Sequence, residues 1–209
     1  MTTAKICGLS TRETLAAALT GGASHVGFVA FPPSPRHLDP QALLGLASTV
    51  PRHVLRVGVF VDPDDMLLAA VASQLDSLQL HKTTPERAAA IRARYRREVW
   101  AAVPVKLRAD LDAARAYLGA VDRILYDAKT PDDAALPGGM GMRFDWRLLD
   151  GFAHPLPWAL SGGLDDENVG DAIRATGATL VDVSSGVESA PGAKAVDKIA
   201  AFLKAVAAS

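Results

Sequence analysis

The sequence predicts an α/β fold of repeated strand–helix units, closed into a single (β/α)8 (TIM) barrel spanning residues 1–209. Three observations predict it. Eight short apolar runs recur along the chain, rich in Val, Ile, Leu and Phe with little polar alternation. That is the pattern of strands buried on both faces in a parallel sheet. The segments between them open with helix-capping residues. A length of 209 residues, 49% hydrophobic and 22% charged, is globular in composition and sits at the short end for one such barrel.

The expected strands are residues 5–8, 25–30, 55–61, 77–80, 99–103, 123–126, 158–161 and 179–183. Ser10 with Glu13 forms a capping-box pattern, and Gly21-Gly22 can stop the helix it starts. Asp39-Pro40, Asp62-Pro63 and Thr84-Pro85 each set a capping side chain before a proline suited to a first helical turn. Leu111, Ala114 and Leu118 fall at helical spacing, as do Asp165, Ala172, Ile173 and Ala175. A last helix is expected over 196–207, with Ile199, Phe202 and Leu203 inward. The least regular stretch, 129–144, reads as a long active-site loop. A doubly wound open sheet shares the alternation, but no G-x-G-x-x-G follows the first strand.

The net charge of −1 predicts neither a nucleic-acid partner nor attraction to an anionic membrane. The single cysteine, Cys7, excludes an intramolecular disulfide. The first residues lack the pattern of a signal peptide, and no apolar run approaches the roughly 20 residues of a membrane helix. A soluble, cytoplasmic protein is expected. The histidines show no metal-ligand spacing, so no metal is assigned.

In a barrel the chemistry gathers at the C-terminal ends of the strands. Here the first strand ends in Cys7-Gly8, the second leads to Arg36, the third ends in Asp62 and the fourth ends in Gln79-Leu80-His81. The sixth ends in Asp127, the seventh in Ser161-Gly162-Gly163, and the eighth in Asp182-Val183-Ser184-Ser185-Gly186. Taken singly, Cys7 reads as a small buried hydrophobe, Asp127 as a helix cap, Arg36 as a surface arginine and His81 as structural. Taken together they stand at one end of the sheet. Gly162, Gly163, Ser185 and Gly186 fit the phosphate site that such barrels build after strands seven and eight.

The ordered set Lys5-Ile6-Cys7-Gly8-Leu9, Gly27-Phe28-Val29, Ser34-Pro35-Arg36, Val57-Gly58-Val59-Phe60, Leu78-Gln79-Leu80-His81, Leu136-Pro137-Gly138-Gly139, Phe144-Asp145-Trp146, Ser161-Gly162-Gly163-Leu164 and Asp182-Val183-Ser184-Ser185-Gly186-Val187-Glu188 resembles the signature run of the phosphoribosylanthranilate isomerase family. It covers almost the whole chain. The resemblance implies a cofactor-free Amadori rearrangement of a small phosphoribosyl anthranilate substrate in tryptophan biosynthesis. It implies Cys7 as general base, Asp127 as general acid and Arg36 as the group that binds the anthranilate carboxylate. Asp182 is placed near the anthranilate nitrogen in a supporting role. Gln79 and His81 join the substrate-binding set, and Gly139 joins the phosphate-binding set. Monomers and homodimers both fit such a family. The chain departs from the usual pattern at Pro33, at Met140 and Met142 in the glycine loop, and at Ser161, where alanine is usual.

Three rivals remain on the sequence. A related isomerase of histidine biosynthesis, or a dual-substrate version, resembles this chain but carries an aspartate where Cys7 stands and needs a half-barrel repeat, which the sequence lacks. Indole-glycerol-phosphate synthase needs catalytic lysines that find no place at the expected strand ends. A barrel kept as a binding or assembly module is disfavoured by the presence of both Cys7 and Asp127.

Overall fold

The computed structural model describes residues 1–131 and 138–209. Eight parallel strands hydrogen-bond in chain order, and the last pairs with the first to close a barrel. They are β1 (Thr3–Cys7), β2 (His25–Val29), β3 (Leu55–Val61), β4 (Ser77–His81), β5 (Glu98–Val105), β6 (Arg123–Ala128), β7 (Trp158–Leu160) and β8 (Leu180–Val183). The expected closed α/β barrel is the fold observed. Of the irregular stretch 129–144, residues 132–137, with Leu136 and Pro137 of the glycine motif, lie outside the described residues.

Among the described residues, six α-helices cover the outside: α1 (Arg12–Thr20), α2 (Pro40–Ala47), α3 (Asp65–Val71), α4 (Pro85–Tyr95), α5 (Val169–Thr176) and α6 (Val196–Ala207). Asp39 and Thr84 cap α2 and α4 as expected, each accepting from the amide three residues on. Two caps differ. Thr11, not Ser10, caps α1 through the amide of Thr14. Asp64, not Asp62, caps α3, because Asp62 takes a left-handed turn at φ 41° that carries the chain out of β3.

The segment after β5 is a 3₁₀ helix, Arg108–Tyr117, rather than an α-helix. Leu111, Ala114 and Tyr117 recur every three residues, which is the 3₁₀ repeat, so they pack inward together. Leu118 falls off that face and is 64% exposed. After β6 the outer layer thins to a four-residue 3₁₀ turn, Trp146–Leu149. A two-stranded antiparallel hairpin, β9 (Glu188–Ala190) and β10 (Ala193–Lys194), follows β8 and precedes α6.

Alternation along each strand divides the core. Ala4 and Ile6 face the helices, while Lys5 and Cys7 face the barrel axis. At the base of the barrel Val57, Trp100, Leu125, Ala159 and Leu180 form one apolar plug. At the other end Cys7, Val29 and Val59 pack together beside Phe31. Among the described residues, no helix is long and apolar enough to cross a membrane.

Candidate active site

The C-terminal mouth holds a cleft lined by residues from the ends of several strands. It brings together ten of the eleven residues singled out from the sequence: Cys7, Arg36, Gln79, His81, Asp127, Gly139, Gly162, Gly163, Asp182 and Ser185. Gly186 stands behind the wall, where a Cβ would collide with the Leu164 carbonyl. Its lack of a side chain lets the loops after β7 and β8 touch.

Cys7 is the last residue of β1 and is 6% exposed. Gly27 is its register partner on β2. A Cβ there would fall 3.0 Å from Cys7 Sγ and 3.1 Å from Lys5 Cε, so the bare backbone makes room for both side chains. Burial pushes the thiol above its ordinary value, against the pull of the Lys5 ammonium. Lys5 is fully buried and donates to Asp182 Oδ1 at 2.8 Å. Burial opposes its charge, but Asp182 and Cys7 outweigh burial and keep it protonated.

Asp127 stands on β6, across the mouth. Burial first, then the like charge of Asp182, raises its carboxyl to about 7. Oδ1 accepts from the Ala128 amide at 2.8 Å. Oδ2 abuts Gly138, where a Cβ would lie 2.5 Å away, so the glycine loop closes against the acid. Ser161 donates to Asp182 Oδ2 at 3.3 Å.

Gln79 Nε2 lies 2.9 Å from His81 Nε2, and burial lowers the imidazole to about 4. His81 is therefore neutral, and it accepts from the amide of Gln79. Gln79 Oε1 is buried without a partner among the described residues.

Arg36 is 5% exposed. Its stem crosses the end of β1 over Gly8, where a Cβ would meet Cδ at 2.5 Å. Nε and Nη2 grip Glu188 at 2.6 and 2.8 Å, and Nη2 also donates to Gly139 O at 2.9 Å. Lys194 approaches the same Glu188 at 2.7 Å and holds Ser184 O at 2.8 Å. Burial raises the Glu188 carboxyl, but Arg36 and Lys194 bring it below its usual value.

Lys5, Glu188 and Lys194 were not anticipated as site residues. Period-two spacing from Cys7 was the available signal for Lys5. The Pro191-Gly192 turn dipeptide was the signal for the hairpin that carries the other two. Gly192 takes φ 83°, and a Cβ there would meet Pro35 O at 2.6 Å, so the turn seats against the Arg36 loop.

Gly162 and Gly163 turn at φ 92° and 65°. Among the described residues neither of their amides has a partner. Together with Ser185 they leave free N–H groups at one corner of the cleft. Met140 and Met142 rim the same cleft, 48% and 39% exposed.

Residues 4–205 match the family described as N-(5'phosphoribosyl)anthranilate (PRA) isomerase. The chain belongs to this family. It is 56% identical to the N-(5'-phosphoribosyl)anthranilate isomerase of Zymomonas mobilis subsp. pomaceae, over 97% of this chain and 96% of that one. The crystal structure of phosphoribosyl anthranilate isomerase from Thermotoga maritima covers all of both chains at 36% identity, with a TM-score of 0.88. A structure of the isomerase in complex with reduced 1-(o-carboxyphenylamino)-1-deoxyribulose 5-phosphate likewise covers all of both chains, at 34% identity and a TM-score of 0.86. Family membership accounts for the concentration of buried polar groups at one mouth, and it removes the open-sheet and binding-module alternatives.

Proposed function

We infer that this member of the family converts N-(5-phosphoribosyl)anthranilate to 1-(2-carboxyphenylamino)-1-deoxyribulose 5-phosphate, an Amadori rearrangement of tryptophan biosynthesis. The observation that carries the reading is the pairing of Cys7 on β1 with Asp127 on β6 across one buried mouth, the acid held near pH 7.

The chemistry calls for that pair. Asp127 gives its proton to the ribose ring oxygen, and the ring opens to an iminium. Cys7, as thiolate, takes the proton from C2′, and the electron pair of that C–H bond forms the enolamine. The enolamine tautomerises to the ketone. Substrate and product are isomers, so no oxidant or group donor is consumed. A carboxyl raised to about 7 keeps a large protonated fraction at neutral pH, which an acid catalyst requires.

The rest of the cleft supplies binding. The free amides of Gly162, Gly163 and Ser185 suit the 5′-phosphate, with Gly139 in the loop opposite and Gly186 allowing the two loops to meet. Arg36 suits the anthranilate carboxylate through the nitrogens that Glu188 leaves available. Gln79, His81 and Asp182 line the floor beneath the sugar. Every assigned group comes from one chain, so monomer and homodimer are equally competent.

The test is the loss of substrate fluorescence on adding purified protein, with the histidine-pathway aminoaldose as control. Turnover of the anthranilate sugar alone supports the reading. Turnover of the control at a comparable rate, or of neither, overturns it.

A further inference from the structure

A buried lysine stands directly beneath the cysteine and has no part in the steps above. Lys5 is fully buried, and its ammonium is 2.8 Å from Asp182 Oδ1. Lys5 and Cys7 lie two residues apart on one face of β1. Both border the empty space at Gly27, with Lys5 Cε and Cys7 Sγ at 3.1 and 3.0 Å from the same point. The ammonium is thus a near neighbour of the sulfur, and its charge favours the thiolate. Lys5 is the register partner of Asp182 on β8 and stands two residues before Cys7 on β1, so it lies next to both groups below the cleft they line.

We propose that Lys5 is a positioning residue that holds its ammonium against the Cys7 sulfur and stabilises the thiolate, with Asp182 anchoring the ammonium from the far side. The proposal rests on the reading of Cys7 as the base. A reactive side chain, a partner that favours its active form and a third group that orients the partner are the parts of a catalytic triad. Here the partner is a permanent cation rather than a proton carrier. When the C2′–H bond breaks, the proton passes to sulfur and the electron pair to the new C1′–C2′ double bond. Lys5 keeps its own proton throughout.

The balance of charge supports the assignment. An isolated thiolate in this buried place is unfavourable. The charged groups facing Cys7 are Lys5 on its own strand, Asp182 on β8 and Lys194 on β10. Lys5 acts on it more strongly than either of the others. Around Lys5 itself stand Asp182, Cys7, His25, His81 and Asp127. Both histidines are neutral near pH 7, with imidazoles lowered to about 4 mainly by burial, so they do not compete for the carboxylates. Asp182 is the anion that makes a buried ammonium tolerable.

The single cysteine makes the test direct, because thiolate absorbance and alkylation by iodoacetamide report on Cys7 alone. Lys5→Met keeps a chain of similar length without charge. Loss of a contacting opposite charge raises an acid by about 1–3 pH units. At neutral pH, alkylation should slow by roughly 10- to 1000-fold, with kcat falling and KM little changed. Since Lys5→Met strands Asp182 in the core, Lys5→Met with Asp182→Asn removes both charges and protects the fold. Its thiol should still titrate above wild type. An unchanged or lowered titration midpoint in the double variant, or in a folded Lys5→Met, overturns the proposal. A raised midpoint with full turnover supports the Lys5–Cys7 pairing and instead removes Cys7 from the reaction, so the two failures are told apart.

Discussion

Arg36 grips Glu188 through Nε and Nη2 at 2.6 and 2.8 Å, so one edge of its guanidinium is occupied within the protein. The hairpin that supplies Glu188 also supplies Lys194, and its Pro191-Gly192 turn rests on Pro35. The arginine is thereby fixed before a substrate arrives, and only its remaining donors can meet a carboxylate.

Glu188→Gln should loosen that hold while keeping the shape. Charged hydrogen bonds contribute about 1.5–3 kcal/mol each, so KM should rise by about tenfold or more with kcat changed far less. Arg36→Lys should be impaired on the normal substrate, since lysine offers a point charge in place of a fork. On an analogue lacking the carboxylate, wild type and Arg36→Lys should be equally poor. Equal losses on both substrates would give Arg36 a loop-holding role instead.

Gly163→Val tests the phosphate corner. Gly163 takes φ 65°, and a Cβ there would collide with the Arg143 stem and lie 2.8 Å from Met142 O. Backbone approach by phosphate should fail and the 138–144 loop should shift. Steady-state kinetics should show a steep rise in KM; an unchanged KM would take this corner out of the site.

The strand ends were legible because a parallel barrel buries its strands on both faces and then releases them into the loops that carry function. Cys7, Asp127 and Gly162-Gly163 stood out for that reason. Lys5 did not, because a lysine inside an apolar run gives no sign of which anion will meet it. Asp182 comes from 177 positions further along the chain. The Ser10 cap failed for a local reason, since Thr11 offers an equivalent hydroxyl one residue later. Leu118 failed because spacings of three and four both read as helical until packing selects the 3₁₀ repeat.

Asp127 should lower the stability of the fold at alkaline pH. Its folded-state carboxyl titrates at about 7 against 3.8 for the ordinary group. A group raised on folding favours the native state below the lower value, and that advantage disappears as pH rises through the higher one. Asp127→Asn should therefore melt higher than wild type above about pH 7, by the equivalent of a few kcal/mol at most. The gap should close toward pH 4. Parallel melting curves at every pH would show that Asp127 is not held protonated by the site.

The pH dependence of turnover should carry both groups. On the proposed assignment the active form needs Asp127 protonated and Cys7 ionised, although the acid titrates at about 7 and the thiol above its usual value. With the values in that order, kcat/KM should rise with pH up to about 7, stay level, and fall only where Cys7 alkylation reaches its own plateau. An alkylation midpoint coinciding with the acidic limb would reverse the assignment.

Substrate labelled with deuterium at C2′ isolates the step that defines the reaction. Wild-type protein should release the label to water as it turns over. Cys7→Ala keeps the fold and the acid but has no base at C2′, so release should fall by about 10²–10⁴-fold or more, the usual contribution of a general base. Release at close to the wild-type rate from Cys7→Ala would contradict the account, because some other group, with Asp182 the first candidate, would then be removing the proton.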